Sequence, residues 1–290
     1  MLNKLFSIAN QFMSSAPPQA MGDDQAYRVP EKAEMTGVYA KRAKQYELTH
    51  HVSTWFRDTV WRQEVAWLAD IPEEGAMVLD VCTGTALSAI EYCKVWDHLG
   101  KRQYRIVGVD YTPAMLTEGH KKAEEAGILD RLDLLQADAT NMRPGEAAEG
   151  FASFEDNTFD AVTCMCGVGG IEEPNKAYAE MLRVVKPGGR VVLLDNHRPI
   201  EGLHRNAKQR SVHYNTWILE LILRRGWGWG DATPMVYDAA RTEITQEVTN
   251  PKTGAKKDVR YGFDKLVQVV RLEYLWLAIA TFVGRKVAIK

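Results

Sequence analysis

The chain has 290 residues, of which 46% are hydrophobic and 26% charged, with a formal net charge of −2 at pH 7. This composition is typical of an ordinary globular protein with one large elaborated domain or two small ones. The near-zero net charge disfavours a nucleic-acid-binding protein and a protein that binds anionic membranes through its overall charge. Four cysteines, none of them in a CxxC pair, and no recognisable signal peptide favour reduced thiols in a cytoplasmic compartment.

Residues 1–30 are predicted to form an amphipathic helix and a linker, and residues 31–75 a helical lid. The large apolar side chains of the first segment fall on one helical face, at Leu2, Leu5, Phe6, Ala9, Phe12 and Met13. We interpret this segment as a lid or packing helix, with a peripheral membrane or partner contact through residues 2–13 as the alternative. No stretch of the sequence is apolar enough to predict a transmembrane helix.

Strands and helices alternate between residues 76 and 200. The predicted strands are nearly continuous apolar runs, MVLDVCT, YRIVGVD, LDLLQAD, FDAVTCMCG and RVVLLDN. Such runs are typical of a parallel sheet that is buried on both faces. Gly100 ends the first intervening helix, and Thr112 with Pro113 begins the second. The pattern predicts an α/β fold with a doubly wound, mostly parallel, seven-stranded sheet, whose cofactor-binding core spans residues 76–200.

The pattern changes in the C-terminal third of the chain. Residues 201–265 are predicted to form a substrate-side insertion, with a helix in SVHYNTWILELILRRG and a hairpin around NPKTG. Residues 266–290 are predicted to form closing strands that join the edge of the core sheet antiparallel.

Three acidic residues stand at the carboxyl ends of successive predicted strands: Asp80, Asp110 and Asp138. In a doubly wound sheet the ligand lies beyond these strand ends. A dinucleotide site needs the backbone amides of a glycine-rich turn, but the turn CTGTA after Asp80 keeps only Gly84. This turn suits a ligand that lacks phosphate and carries some positive charge, so an NAD(P)-linked oxidoreductase is disfavoured.

Each of these positions predicts a different contact. A carboxylate at Asp110 can accept two hydrogen bonds from a ribose diol, and one at Asp138 can accept from an adenine amino group. Gly84 lets the backbone approach a small ligand closely. The ligand that these contacts describe is adenosine joined to an amino acid through a sulfonium.

The same motifs resemble those of class I S-adenosylmethionine-dependent methyltransferases of the ubiquinone/menaquinone C-methyltransferase type. VLDVCTGTA resembles the cofactor motif VLDVCCGTG, VGVDYTPAML resembles the ribose motif GxDxSxxML, and LLQADATNM resembles the adenine motif. FEDNTFDAV, MLRVVKPGGRVVLLD and the upstream segment VYAKRAKQYELTHHVSTWFRDTVWR are also similar, so that the resemblance extends from Tyr39 to Asn196. Ala86 stands where the motif has a third glycine, and we expect helical dihedrals there, which alanine tolerates.

The resemblance implies that S-adenosyl-L-methionine is the cofactor. It implies a cofactor site formed by Tyr39, Tyr46, Asp80, Cys82, Thr83, Gly84, Thr85, Asp110, Tyr111, Met115, Asp138, Ala139 and Cys166. Within this set, Asp80 would order the methionine-amine end of the cofactor through the turn. Tyr39 and Tyr46 are expected either to cover the sulfonium, which an aromatic face attracts, or to pack against the core.

Five further residues are predicted on the substrate side. His197, after the last parallel strand, is either the catalytic base or a surface histidine. One of His50 and His51 is expected to line the pocket and the other to be solvated; no metal is expected, because no histidine pair has metal-site spacing. Trp227 and Trp229 are expected either to cover an aromatic substrate as a flap or to pack in a capped turn.

The predicted function is methyl transfer to a small, apolar or aromatic, quinol-like acceptor by in-line displacement, with a general base only if the nucleophile carries a proton. Phospholipid or amine N-methylation is the alternative chemistry. The alternative class is a non-catalytic adenosine-binding or assembly subunit that retains the fold, motivated by Ala86 and by a tail after His197 that differs from those of quinone enzymes.

Overall fold

The computed structural model describes residues 32–54, 56–197, 235–273 and 277–290. The helices are α1 (Lys32–Arg42), α2 (Tyr46–Ser53), α3 (Arg57–Ala69), α4 (Leu87–His98), α5 (Pro113–Glu125), α6 (Pro174–Val184) and α7 (Met235–Arg241), with short 3-10 helices at Ala43–Gln45 and Val168–Gly170. The strands are β1 (Met77–Val81), β2 (Arg105–Asp110), β3 (Leu132–Gln136), β4 (Phe159–Met165), β5 (Val185–His197), β6 (Ile244–Thr249), β7 (Lys256–Glu273) and β8 (Leu277–Ala288).

The strands form one sheet of eight in the order β3-β2-β1-β4-β5-β8-β7-β6. Strands β1 to β5 are parallel, and β8, β7 and β6 continue the sheet antiparallel from β5. This architecture confirms the predicted doubly wound, mostly parallel α/β fold with antiparallel closing strands.

The C-terminal hairpin lies elsewhere than the sequence predicted. The hairpin around NPKTG joins β6 to β7 inside the sheet, so the sheet has eight strands instead of the predicted seven. Residues 244–249 and 256–265 therefore belong to the core and not to a substrate-side insertion, because their backbone groups are paired within the sheet. The rest of the predicted insertion, residues 201–234, lies outside the described residues.

Apolar side chains cover both faces of the parallel strands. On β1, Val78 packs in one core cluster with Tyr92 and Trp96 of α4, and Leu79 packs in the opposite cluster with Met181 of α6. All five side chains are fully buried. Burial on both faces explains the continuous apolar runs in the sequence and leaves the strand ends as the place for polar side chains.

Helix α3 attaches the lid to the core. Its residues Trp61 and Val65 are fully buried, and Trp96 of α4 donates its indole N–H to the carbonyl of Ala66 over 2.9 Å. On the other side of the lid, Lys122 of α5 forms an ion pair with Glu47 of α2. The lid is therefore anchored at its base and at its tip. No helix among the described residues is long and apolar enough to cross a membrane.

Candidate cofactor site

A cleft of about 820 Å³, its open mouth included, lies beyond the carboxyl ends of β1, β2 and β3. Strand register brings these ends together, since Val81 pairs with Val109 on one side and with Cys164 on the other. The predicted residues that line the cleft are Tyr39, Tyr46, Cys82, Gly84, Asp110, Tyr111, Met115, Asp138, Ala139 and Cys166. Helix α1 closes one side with residues that the sequence did not single out, Lys32, Met35 and Thr36.

The turn between β1 and α4 has a left-handed backbone at alternate residues. The φ angles are 57° at Cys82, 57° at Gly84 and 61° at Ala86. The expectation of helical dihedrals at Ala86 is wrong, because its backbone adopts the conformation for which the motif supplies glycine. A left-handed L-residue costs roughly 1–2 kcal/mol, so Cys82 and Ala86 hold this turn under strain.

The strained turn is held in place from two directions. Its Thr83 N–H donates to the carbonyl of Val109 at the end of β2 over 2.9 Å. On the α5 side, a Cβ added at Gly119 would lie 3.2 Å from the carbonyl oxygen of Gly84 and from the carbonyl carbon of Thr85. Glycine at position 119 therefore lets the helix approach the turn closely, although the sequence analysis did not single it out.

Asp110 links the turn to the end of β2. Its Oδ2 accepts the N–H of Gly84 over 2.9 Å, and its Oδ1 accepts the N–H of Thr112 over 2.9 Å. Burial raises the pKa of Asp110 to about 6, against the lowering effect of these backbone donors. Asp110 also lines the cleft, which puts a buried carboxylate at the end of β2, where a ribose diol would need an acceptor.

Asp80 lies behind the turn and does not line the cleft. Its Oδ1 accepts a hydrogen bond from Thr163 over 2.8 Å and a longer one from Tyr92 over 3.4 Å. Burial raises the pKa of Asp80 to about 6. This position agrees with a role in ordering the turn, as the resemblance implied, and not with broad contact to a ligand.

Asp138, after β3, is paired with the lid. Lys32 of α1 donates to its Oδ2 over 2.6 Å, and the N–H and hydroxyl of Thr140 donate to its Oδ1 over 2.9 and 2.7 Å. Burial by itself would raise the pKa of Asp138, but the hydrogen bonds from Lys32 and Thr140 hold that pKa below its usual value. The carboxylate is therefore ionised at neutral pH and oriented at the edge of the cleft.

Two lid tyrosines cover the cleft. The rings of Tyr39 and Tyr46 are 6.1 Å apart, and the ring of Tyr46 stacks on His50 at 5.4 Å. Burial raises the pKa of both phenols, so that both are neutral at physiological pH. Neutral aromatic rings at this position are suited to cover a sulfonium.

His50 and His51 do not line the cleft, which corrects the prediction that one of them would. The Nδ1 atoms of His50 and His51 lie 3.2 and 2.7 Å from the carboxylate of Asp58, and Arg62 forms an ion pair with the same carboxylate. Burial by itself would raise the pKa of Asp58, but these partners hold that pKa below its usual value. The histidines join α2 to α3 and fix Tyr46 from behind.

The acid and base at the centre of this cluster, Asp58 and Arg62, were missed by the sequence analysis. Their only signal was the i,i+4 spacing, which is common on solvated helix faces. Here both side chains are buried, with Asp58 fully buried and Arg62 4% exposed.

Several buried polar atoms near the turn have no hydrogen-bond partner among the described residues: Asp80 Oδ2, Thr83 Oγ1, Thr85 Oγ1 and Arg62 Nε. Buried polar groups are normally paired, and an unpaired one indicates a missing water or ligand. None of these four residues lines the cleft, so the fit to S-adenosylmethionine rests on its nucleoside end, where Asp110 and the turn at Gly84 form the cleft wall.

The substrate side of the site is less fully described. The backbone of His197 ends β5, at the same sheet edge as the cleft, but its side chain lies outside the described part of the structure. Trp227 and Trp229 lie outside the described residues, as does the N-terminal segment at residues 2–13. The roles predicted for these residues stay predictions.

The fold and the site together define a nucleoside-binding α/β domain of the methyltransferase class. A family model described as the ubiE/COQ5 methyltransferase family matches residues 27–224, and the chain belongs to that family. Membership confirms the resemblance found in the sequence, and it implies S-adenosylmethionine as the methyl donor.

Curated relatives agree with this assignment. The demethylmenaquinone methyltransferase of Bacillus cereus (strain ATCC 10987 / NRS 248) is 34% identical over 162 residues, which cover 56% of this chain and 62% of that relative. A protein of the same name from Bacillus anthracis (strain A0248) matches over equal shares. The chain therefore spans about three-fifths of the length of these relatives.

Solved structures agree on the fold. The [4+2]-cyclase SpnF superposes with a TM-score of 0.53 at 17% identity, over 79% of this chain and 80% of that one. A SAM-dependent methyltransferase from Thermotoga maritima superposes with a TM-score of 0.50 at 13% identity, over 87% and 99% of the two chains. At such identities the likeness concerns the fold alone.

Proposed function

We propose that this protein transfers the methyl group of S-adenosylmethionine to a carbon atom of a quinol-type aromatic acceptor. Two observations together carry the proposal: the carboxylate of Asp110 accepts the N–H of Gly84 at the wall of the cleft, and the family model matches residues 27–224. The name of the Bacillus relatives supports a demethylated naphthoquinol as the acceptor.

The chain's own residues have separate tasks in this proposal. Asp110 holds the ribose, Asp138 holds the adenine, and Asp80 acts on the amino-acid end through the turn that contains Thr83 and Thr85. When bound, the cofactor supplies an electrophilic methyl group on a sulfonium. Fixing the two reactants in line contributes up to about 7–11 kcal/mol to such reactions, so positioning is the main task of the protein.

The tyrosines of the lid exclude water from the reacting groups. Tyr39 and Tyr46 lie over the cleft with their phenols neutral, and the cluster around Asp58 keeps Tyr46 in place. A quinol needs to lose a proton to become a strong carbon nucleophile, and His197 is the residue that we propose as its base. The variant His197→Ala tests this role. We expect it to lower turnover without weakening cofactor binding.

The same site can be proposed for other functions. The superposition on a [4+2]-cyclase shows that this fold also occurs in a protein named for a reaction other than methyl transfer. N-methylation of a phospholipid headgroup or amine and a non-catalytic adenosine-binding role remain the alternatives. We propose that the protein acts in the cytoplasm, with its cysteines as thiols and with peripheral membrane contact through residues 2–13.

One experiment separates these functions. The full chain is incubated with methyl-labelled S-adenosylmethionine and one of three acceptors: a short-chain 1,4-naphthoquinol kept reduced, the oxidised quinone, or phosphatidylethanolamine vesicles. The proposal expects label on a ring carbon of the quinol and none on the quinone, because only the quinol is electron-rich. Label on the lipid amine would establish the alternative chemistry, and cofactor binding without label on any acceptor would favour the non-catalytic role.

A further inference from the structure

Lys32, the first described residue of α1, places a cation at the end of the cleft that lies beyond β3. Lys32 Nζ lies 2.6 Å from Asp138 Oδ2 and 3.0 Å from Thr140 Oγ1, and 5.9 Å from the ring centroid of Tyr111. All four residues line the cleft. A lysine ammonium has three N–H donors, and two of them are engaged with described residues, which leaves one donor without a partner in the described part of the chain.

The acceptors of Asp138 can be accounted for in the same way. Its Oδ1 accepts the N–H and the hydroxyl of Thr140, over 2.9 and 2.7 Å. Its Oδ2 accepts Lys32 and keeps one lone pair. The wall of the cleft therefore presents one N–H donor, from Lys32, beside one oxygen acceptor, from Asp138.

A neighbouring donor and acceptor match one edge of one purine. Adenine presents the N1 acceptor beside the amino group at position 6, whereas hypoxanthine presents an N1–H donor beside a carbonyl oxygen. We propose that Lys32 is a specificity-determining residue that donates to adenine N1 while Asp138 accepts from the amino group. The inference rests on the proposed cofactor. It gives helix α1 a role in recognising the adenine in addition to closing one side of the cleft.

The competing assignments are a backbone donor for N1 and a purely structural role for Lys32. The N–H of Ala139 also belongs to the cleft wall and is the natural alternative donor to N1. If Lys32 only pinned the lid to Asp138, its removal would weaken all ligands equally. Both alternatives predict that the effect of Lys32 is independent of the ligand atom at position 1 of the purine.

The test is a double-mutant cycle, in which the side chain of Lys32 and the ligand atom at position 1 of the purine are changed separately and together. Titration calorimetry measures the binding of S-adenosylhomocysteine and of its 1-deaza analogue, in which N1 is a CH group, to the wild type and to Lys32→Met. Lys41→Met is the matched control, because Lys41 is an exposed lysine on the same helix. Thermal melting without ligand checks that each variant is folded.

We expect the 1-deaza change to weaken wild-type binding about tenfold, which corresponds to about 1.4 kcal/mol, and Lys32→Met to weaken the parent ligand by a similar factor. In Lys32→Met the two ligands should bind with nearly equal affinity, whereas Lys41→Met should behave as the wild type. S-inosylhomocysteine should lose part of its disadvantage in Lys32→Met, because its N1–H no longer meets an ammonium, and should keep the part that comes from its carbonyl oxygen facing Asp138.

An equal loss from the 1-deaza change in both proteins would overturn the proposal and assign N1 to a backbone donor. A Lys32→Met protein that binds all three ligands more weakly by one common factor would overturn it in favour of a lid clamp. Failure of wild type to bind S-adenosylhomocysteine would overturn the cofactor assignment as well. Failure to methylate a quinol, with the coupling intact, would affect only the proposed acceptor.

Discussion

Two sets of buried polar groups, one in each half of the sheet, differ in their hydrogen-bond partners, although the antiparallel half also holds one buried hydroxyl, that of Thr281, without a partner among the described residues. At the cofactor edge of the parallel half, Asp80 Oδ2 and the hydroxyls of Thr83 and Thr85 are buried without a partner among the described residues. In the antiparallel half, Lys286 of β8 is also fully buried, but its ammonium meets four protein acceptors. These are Asn157 Oδ1, Arg183 O, Val185 O and Gln246 Oε1, at 2.6, 3.1, 2.9 and 2.8 Å.

The difference separates a binding site from a structural bond. A buried polar group with all its partners inside the protein stabilises one arrangement of the chain. Buried polar groups that lack protein partners keep a cost that a ligand can remove. The left-handed φ angles at Cys82 and Ala86 add strain at the same edge, where the surrounding structure must hold it. Stability and binding should therefore respond to different substitutions.

The largest expected effect is on the stability of the antiparallel half. Lys286→Met removes the ammonium shared by these four acceptors, of which Arg183 O keeps other donors in the N–H groups of Asn157 and Gln246, so we expect the free energy of unfolding to fall by about 3 kcal/mol. Binding of S-adenosylhomocysteine should be unchanged in the protein that remains folded. Urea denaturation and calorimetry measure the two quantities.

The control for this change is its neighbour on β8. Arg285 forms an ion pair with Asp264 but is 46% exposed, so Arg285→Met should cost less than about 1 kcal/mol. Equal losses of stability for the two variants would show that the Lys286 contacts have no special structural role.

The next effect belongs to the cofactor edge. Asp110→Asn replaces an acceptor of the Gly84 or Thr112 N–H by an amide donor and removes the charge that faces the ribose. We expect the affinity for S-adenosylhomocysteine to fall about 100-fold, or about 2.7 kcal/mol. Asp133→Asn, at an exposed ion pair with Arg105, is the matched control and should bind normally.

A large loss of stability in Asp110→Asn with unchanged affinity would reverse the comparison. It would make Asp110 a structural residue, equivalent in kind to Lys286.

The stability contributed by buried titratable groups should change with pH in opposite directions in the two halves of the sheet. Burial raises the pKa of Asp80 and of Asp110 from 3.8 to about 6, so in this pH window the free folded protein binds more protons than the unfolded chain. Their contribution to stability is greatest at low pH and declines as the pH rises from 3.8 to 6. Cofactor binding should show the opposite trend, because ionised carboxylates are the ligand acceptors.

Burial lowers the pKa of Lys286 from 10.5 to about 7, so the unfolded chain binds more protons between these values. Its contribution to stability should therefore increase as the pH rises from 7 to 10.5.

Below pH 6 the affinity for S-adenosylhomocysteine should fall by up to about tenfold per pH unit for each carboxylate that must ionise. Affinity that stays constant from pH 7 to pH 5 would contradict the assignment of these acids.

The smallest effects come from two glycines with left-handed backbones. Gly84 in the cofactor turn has a φ of 57°, and Gly254 in the β6–β7 hairpin has a φ of 70°. Substitution of either by alanine should cost about 1 kcal/mol of stability, because both need a positive φ. Only Gly84→Ala should also weaken binding, since its methyl group would lie 3.2 Å from Met115 Cε at the cleft wall.

Equal affinities in the two glycine variants would mean that backbone approach at the turn is irrelevant to the ligand. Calorimetry with S-adenosylhomocysteine, alongside thermal melting, makes this comparison.

The parallel core was predictable because its sequence signals are local. Continuous apolar runs indicated strands buried on both faces, and Gly100 and Pro113 marked helix ends within one residue or two of the observed ones. The acids at the strand ends could be placed at one edge by topology alone. Most of the predicted cofactor residues line the cleft for this reason.

The lid could not be predicted in the same detail. Lys32 is one of 36 lysines and arginines, and nothing nearby in the sequence shows that it meets Asp138, which is 106 residues away. His50 and His51 were expected at the pocket, but Asp58 and Arg62 hold them behind Tyr46. Pairing between distant side chains depends on how helices dock, which local periodicity does not encode.

The sequence by itself determined the class of fold, the alternation of strands and helices in the parallel core and the three acids at its strand ends. These follow from residue periodicity and from chain topology, which short-range physical rules control. Only the tertiary structure decided the left-handed backbone at Ala86, the place of the C-terminal hairpin in the sheet and the ion pair between Lys32 and Asp138. Each of these depends on contacts between segments far apart in the chain, where the packing free energy of the whole domain outweighs local preference.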